Sequence, residues 1–233
     1  KSFELLENNQ KIKLEPGIVG ARANTFLAPH GLKIGPDPAS IGAAMIGGIV
    51  ANNASGMCCG TAQNSYQTIA DIRIVLHDGT LLDTANPESV AEFKTNQKTL
   101  IQEIENLRDT IKNDETLYHF IKNKFKIKNT TGYSINALVD YEDPFEILQH
   151  LMVGSEGTLG FIAEVTYRTV EESPFKASAL LFLPTVKAAC DLASAVATLP
   201  VAAAELMDRA SLRSVEGTPG LPEGLETLGD DVC

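Results

Sequence analysis

The stretch Gly154-Ser155-Glu156-Gly157-Thr158-Leu159-Gly160-Phe161-Ile162-Ala163-Glu164-Val165 decides the reading of the fold. Three glycines within seven residues let backbone approach a neighbour or a ligand closely, because no Cβ stands in the way. From Phe161 to Val170 the chain alternates Ile162, Glu164, Thr166 and Arg168, the period-two signature of a strand. A turn that feeds a strand at this point has a fixed backbone. Glu156 reads first as a structural acid bonding nearby N–H groups, with a catalytic carboxylate as the minor alternative. For the whole segment the simple reading is a helix-to-strand turn.

Upstream, Asp143-Pro144 opens a helix, with proline at a permitted first-turn position and Ile147, Leu148 and Leu151 on the inner face. Residues 96–125 read as a surface helical pair on one apolar stripe of Leu100, Ile104, Leu107 and Ile111. Lys122, Lys124, Lys126 and Lys128 follow, read as a solvated helix end. Residues 69–82 read as a hairpin turning at Asp78-Gly79. Ile12 and Leu14, then Ile18 and Val19, are strand-like around Pro16-Gly17, and Asn24 to His30 form a short helix closed by Gly31. Downstream of Pro174 the pattern restarts as a strand over 176–183, a helix over 186–199 and a strand over 201–207. The fold class is therefore α+β: a mixed sheet with helices over residues 1–172, carrying a helical insert at about 96–125, and a second domain beginning at 173–233.

A second glycine-bearing segment carries chemistry. Pro36-Asp37-Pro38-Ala39-Ser40 is followed by Ile46-Gly47-Gly48-Ile49-Val50-Ala51-Asn52-Asn53-Ala54-Ser55-Gly56. Asp37 and Ser40 are good N-cap types. Ala43, Ala44, Gly47 and Gly48 make a face narrow enough to lie against a dinucleotide, while Asn52, Asn53 and Ser55 add neutral hydrogen-bonding groups. A tight helix–helix contact with a glycine turn is the alternative. Neither a GxGxxG opening a helix after a strand nor a P-loop lysine motif is present.

Composition narrows the classes further. With 44% hydrophobic and 21% charged residues, the 233-residue chain matches an ordinary globular protein. No apolar run reaches the roughly 20 residues of a membrane span. A formal net charge of −11 argues against nucleic acid as a partner. Cys58, Cys59, Cys190 and Cys233 show neither CxxC nor zinc-ligand spacing, so no metal site is expected and a reduced compartment is the simplest reading. His30, His77, His119 and His150 read as surface or loop histidines. The abrupt start at Lys1, without an initiator Met, reads as an internal fragment.

Taken in order, these motifs resemble the FAD-binding (PCMH-type) domain of the vanillyl-alcohol-oxidase superfamily. The resemblance runs from Pro16-Gly17 through Glu205-Leu206-Met207-Asp208 and includes Thr131-Gly132-Tyr133. Within it, Asn53 to Thr61 and Lys128 to Tyr133 look like the long bacterial D-lactate dehydrogenases that append an iron–sulfur region. The resemblance implies that Pro36, Asp37, Ser40, Gly47, Gly48, Asn52, Ser55 and Gly56 line FAD from one side. Glu156, Gly157, Gly160 and Ile162 are implied to close the site from the other. It also implies a pyrophosphate loop upstream of Lys1, and a hydroxy-acid-binding histidine segment and an iron–sulfur cluster beyond Cys233, so no catalytic residue is assigned. The implied activity is oxidation of a D-2-hydroxy acid, D-lactate foremost, with electrons leaving for a quinone or cytochrome. The setting is cytoplasmic or peripheral at the inner membrane. Glycolate or D-2-hydroxyglutarate as substrate, a flavin oxidase, and a non-enzymatic binding module are the alternatives.

Overall fold

In the computed structural model, which describes residues 2–196, 198–221 and 224–233, the strand after Gly160 is the longest and central strand of a sheet. The chain separates into two compact units, residues 1–174 and 175–233.

The first unit runs β1 (Phe3–Leu6), β2 (Lys11–Leu14), α1 (Gly20–Leu27), β3 (Leu32–Ile34), α2 (Ile46–Ala51), α3 (Ser65–Thr68), β4 (Ile69–Val75) and β5 (Leu81–Asp83). It continues with α4 (Pro87–Asn96), α5 (Lys98–Asn113), α6 (Glu115–Lys124), α7 (Ala137–Asp140), α8 (Pro144–Met152) and β6 (Phe161–Glu171). The strand order is β1-β2-β6-β4-β5, with β3 also paired to β6. Every named pairing is antiparallel, so the mixed sheet expected from sequence narrows to an antiparallel one, within the α+β class.

Alternation sorts the two faces of this sheet. Ile12 and Leu14 of β2, Ile72 and Ile74 of β4, and Val165 and Tyr167 of β6 are buried against Leu27, Ile49, Val50, Ile147 and Met152 of the helices. Burial of each such side chain contributes about 1.5–3 kcal/mol. Register shifts between Ile69 and Asp71, and between Arg73 and Ile74, keep the isoleucines of β4 inward despite the pairing irregularity. On the other face Glu164 lies 3.7 Å from Lys13 and 3.3 Å from Arg73, and Arg73 reaches Asp83 at 2.8 Å. Such half-exposed pairs contribute about 0–1 kcal/mol each, so the apolar face dominates the stability.

The stretch 96–125 forms the expected pair of helices, α5 and α6, with α4 preceding them. Ile101, Ile104 and Ile121 are buried, whereas Leu107 is 55% exposed. Leu100, Ile104 and Ile111 of the expected stripe pack against the core and Leu107 leaves it, while Arg108 beside it lies mostly covered and donates to the Glu142 carbonyl. Asp143 caps α8 as expected, accepting from the Phe145 N–H at 2.7 Å. Gly31, at φ 69°, closes the turn after α1. Val19 makes only an isolated bridge to Met45 rather than a strand.

The second unit carries α9 (Val186–Val196) and α10 (Arg209–Arg213). The two strands expected at 176–183 and 201–207 do not form; Leu180, Leu181 and Phe182 are 45–56% exposed. A strand needs a partner, and among the described residues the backbone pairing of 176–183 is that of Leu183 with Cys233.

Candidate functional site

The two glycine-bearing segments meet at the C-terminal end of α2. The last carbonyls of a helix lack intrahelical donors. Here Val50 and Ala51 receive them from the glycine turn, from Gly154 N–H at 3.1 Å and Glu156 N–H at 2.9 Å. The Asn52 amide then donates to the Glu156 carboxylate, side chain to side chain. Glu156 and Asn53 both sit in the left-handed region, at φ 52° and 47°. Backbone strain of this kind clusters at ligand sites. The third motif joins at the same point: a Cβ on Gly154 would lie 3.4 Å from the Gly132 carbonyl and from Ser134 Oγ. Ser134 Oγ in turn donates to the Val153 carbonyl at 2.7 Å.

Asp37 does not cap a helix. Its carboxylate instead accepts the N–H groups of Gly56, Cys58 and Cys59 at 3.0–3.2 Å, pinning the loop that follows α2. The reason is local: residues 38–45 form turns, and no helix starts there for Asp37 to cap. Partial burial pushes the Asp37 carboxyl up, yet the hydrogen bonds from Cys59, Gly56 and Cys58 outweigh it and hold its pKa below the ordinary 3.8. Ser40 is exposed, and its backbone carbonyl accepts from Ala43 and Ala44 at 2.8 Å. Cys59 is buried and Cys58 exposed, both free thiols.

The expected site residues thus divide. Gly48, Asn52, Glu156 and Gly157 are brought together on one accessible surface, with Ser55 beside them. Pro36 is buried, and Ile162 is 6% exposed in the sheet core. Gly47, Gly56 and Gly160 answer internal needs. An added Cβ would meet Pro16 Cβ at 2.8 Å, the Asp37 carbonyl at 2.0 Å and the Val75 carbonyl at 2.9 Å respectively.

Two features of this surface fit a dinucleotide. At Gly48 a Cβ would find no atom within 4 Å, so a flat group can lie against the helix there. Ser55 Oγ is buried without a hydrogen-bond partner among the described residues, a donor and acceptor left for a ligand. Lys128 supplies positive charge at the same place, its ammonium donating to the Ser55 carbonyl. Sequence reading missed Lys128 because an i, i+2 lysine run resembles a solvated helix end; α6 in fact stops at Lys124.

His150 departs from expectation. It is 4% exposed, donates from Nδ1 to the Glu146 carbonyl at 2.7 Å and stacks on Tyr141 with ring centroids 4.0 Å apart. It falls on the buried face of α8, which a single histidine among apolar residues does not announce. Burial holds its pKa below the ordinary 6.5, so it is a neutral core group. Beside it, burial and Asp140 push the Tyr66 hydroxyl well above the usual tyrosine range, with Tyr66 donating to Asp140 at 2.8 Å. His30, His77 and His119 are exposed as expected. Among the described residues no group of three or more His, Cys, Asp or Glu is placed to hold a metal, and no helix is long and apolar enough to cross a membrane.

Comparison with known proteins agrees with this geometry. The FAD binding domain family matches residues 1–85. A D-2-hydroxyglutarate dehydrogenase of Haemophilus influenzae is 29% identical, matching 69% of this chain and 16% of its own length. A D-2-hydroxyglutarate dehydrogenase of Stutzerimonas stutzeri is 26% identical over 97% of this chain and 38% of its own length. The mitochondrial D-lactate dehydrogenase [cytochrome] of Kluyveromyces lactis is 24% identical over 89% of this chain and 27% of its own length. The chain therefore spans between 16% and 38% of these relatives. With an α+β unit whose ordered motifs converge on one surface, the chain is similar to these D-2-hydroxyglutarate and D-lactate dehydrogenases, and the match of residues 1–85 to the FAD binding domain supports FAD as its cofactor.

Proposed function

We propose that the protein takes part in FAD-dependent oxidation of a D-2-hydroxy acid to the 2-oxo acid, with D-lactate as substrate and pyruvate as product. The observation that carries this reading is the stitching of α2 to the glycine turn through Gly154, Glu156 and Asn52, beside the open face of Gly48. FAD supplies the two-electron acceptor in such an oxidation. This chain's residues supply position and charge. Gly48 leaves room for a flat group, Asn52 and Glu156 orient each other at the edge of that room, and Ser55 offers a hydroxyl. Lys128 places a cation beside it. Pro36, Asp37, Gly47, Gly56, Gly160 and Ile162 hold the backbone from which these groups project, and Ser40 and Gly157 sit at its accessible rim. No residue of the chain is assigned as the base for the substrate hydroxyl.

In this reading residues 175–233 begin the substrate or cap domain, and electrons leave FAD through iron–sulfur clusters for a quinone or cytochrome. The setting is cytoplasmic, or peripheral at the inner membrane. The names of the Haemophilus and Stutzerimonas relatives favour D-2-hydroxyglutarate as a second substrate reading. Anaerobic visible spectra of the full-length protein separate them. An oxidised-flavin band bleached by D-lactate, and not by D-2-hydroxyglutarate, L-lactate or glycolate, supports the first reading. Bleaching by D-2-hydroxyglutarate alone moves the substrate. A full-length protein that takes up no FAD removes the proposal altogether.

A further inference from the structure

The end of α6 and the loop after it differ in charge from the rest of the first unit. Residues 116–139 hold four lysines and no Asp or Glu, whereas the whole chain carries a formal charge of −11. All other residues together therefore carry −15. Elsewhere in the unit Lys11, Lys13, Lys33 and Lys112 each lie against a carboxylate. Lys122, Lys124 and Lys126 are exposed, and among the described residues none of them pairs with one. Lys122 instead reaches the Tyr118 hydroxyl at 3.2 Å, and Lys126 reaches Asn123 Oδ1 at 2.9 Å. The acids of this helix, Asp114 and Glu115, stand at its N-terminal end, about 14 Å from Lys124 along the axis.

Lysines alone would make a solvated helix end, and the apolar side chains among them argue for more. Ile127 is 71% exposed and Phe120 61%, among the highest values for large apolar residues of this unit. Leu117, Phe120 and Lys124 follow at spacings of three and four, which puts them on one flank of α6. Ile121 turns inward and is buried, so it anchors the helix and leaves that flank to solvent. One exposed apolar residue needs no explanation. Two of them inside the acid-free, lysine-bearing segment do.

We propose that the end of α6 and the loop after it dock on an anionic lipid bilayer, with Phe120 and Ile127 entering the boundary between headgroups and acyl chains and Lys122, Lys124 and Lys126 meeting lipid phosphates. A lysine stem lies along apolar surface while its ammonium stays at headgroup level, so both residue types are served at one depth. An acidic soluble protein would satisfy the lysines but give Phe120 and Ile127 nothing to enter, which favours the bilayer. A few lysines and two apolar side chains hold a protein reversibly, so docking depends on lipid charge and on salt. The contact is peripheral, since no helix of the described residues is long and apolar enough to cross a membrane. This inference deepens the peripheral setting proposed above and rests on that reading for its place in the cell.

The test is flotation of the full-length protein with vesicles of phosphatidylcholine alone or of an equimolar mixture with phosphatidylglycerol. Wild type is expected to rise with the mixed vesicles only, and to be released at about 1 M salt, where the screening length is about 3 Å. Two double variants divide the contact: Lys122→Glu with Lys124→Glu, and Phe120→Ser with Ile127→Ser. All four positions are exposed and none was placed at the flavin surface, so melting temperature and FAD uptake should match wild type. Each double variant is expected to lower the partition coefficient about tenfold or more. Wild type that floats with neither vesicle, or equally with both, overturns the proposal, and so do variants that float as well as wild type. Loss in the lysine variant alone overturns the bilayer as occupant and leaves an acidic protein surface. Loss in the apolar variant alone overturns the recognition of charge. Vesicle binding needs neither FAD nor substrate, so a protein that floats but takes up no flavin removes the proposed function and leaves this one standing.

Discussion

The segment around α2 and the turn around Glu156 look alike in sequence, each a run of glycines among small and polar residues, but their glycines serve different ends. In the first, Gly47 and Gly56 are closed in by Pro16 and by the Asp37 backbone. In the second, Gly154 and Gly157 are at φ 89° and 76°, and Gly160 is closed in by the Val75 carbonyl. Each of these five is required by backbone shape or by a close approach inside the unit. Gly48 is the exception within the two segments. Its φ lies outside the left-handed region, and a Cβ there would touch nothing within 4 Å. A glycine that the fold does not need is better evidence for a ligand than several that it does.

The sharpest way to break this division is Gly56→Ala. The new methyl would stand 2.0 Å from the Asp37 carbonyl oxygen, which is backbone and cannot swing aside. Overpacking costs about 1–3 kcal/mol in ordinary cases, and this contact belongs at or above the top of that range. Urea denaturation is expected to show the loss together with loss of FAD uptake, because the loop pinned by Asp37 moves as well. A variant as stable as wild type would mean that the loop is not held as described. Gly160→Ala is next, at 2.9 Å from the Val75 carbonyl, with an expected cost of about 1–2 kcal/mol. Circular dichroism melts of the two variants should keep that order.

How much of this was legible in advance depends on where the information sits. Strands with partners inside the unit were readable: β4, β5 and β6 alternate because one face is buried, and Asp143-Pro144 marks its helix through local hydrogen bonding. The apolar runs at 176–183 and 201–207 carry equally good strand composition, and they stay exposed because pairing is not a local property. The site divided in the same way. Gly48, Asn52 and Glu156 were readable as motif residues. The role of Asp37 as an anchor for the Gly56–Cys59 loop depends on contacts about 20 positions apart, which no short window of sequence contains.

A smaller effect separates the core from the site by pH. His150 is neutral and buried, with its folded pKa held below the ordinary 6.5. Below pH 6.5 the unfolded chain takes up a proton that the folded chain resists, so stability is intact above that value and falls as pH drops through it. The groups around the ring are Tyr66, Tyr141, Asp140 and Arg168, with the Glu146 carbonyl on Nδ1. Wild type should therefore lose melting temperature between pH 7.5 and 5.5 more steeply than His150→Phe. Parallel pH profiles for the two would show that His150 does not titrate with folding.

Gly48→Ala carries the smallest stability change and bears most directly on the comparison. Alanine is the better helix former, so an unopposed Gly48→Ala inside α2 is expected to leave stability unchanged or raise it by up to about 1 kcal/mol. The added methyl projects into the space assigned to a flat ligand, so FAD affinity should fall by about tenfold or more, equivalent to about 1.4 kcal/mol of lost binding. The two readouts move in opposite directions only if the glycine is kept for something outside the fold. A variant that binds FAD as tightly as wild type would return Gly48 to the same class as its five neighbours. A variant that also unfolds more easily would mean that the face of α2 is packed against the chain itself.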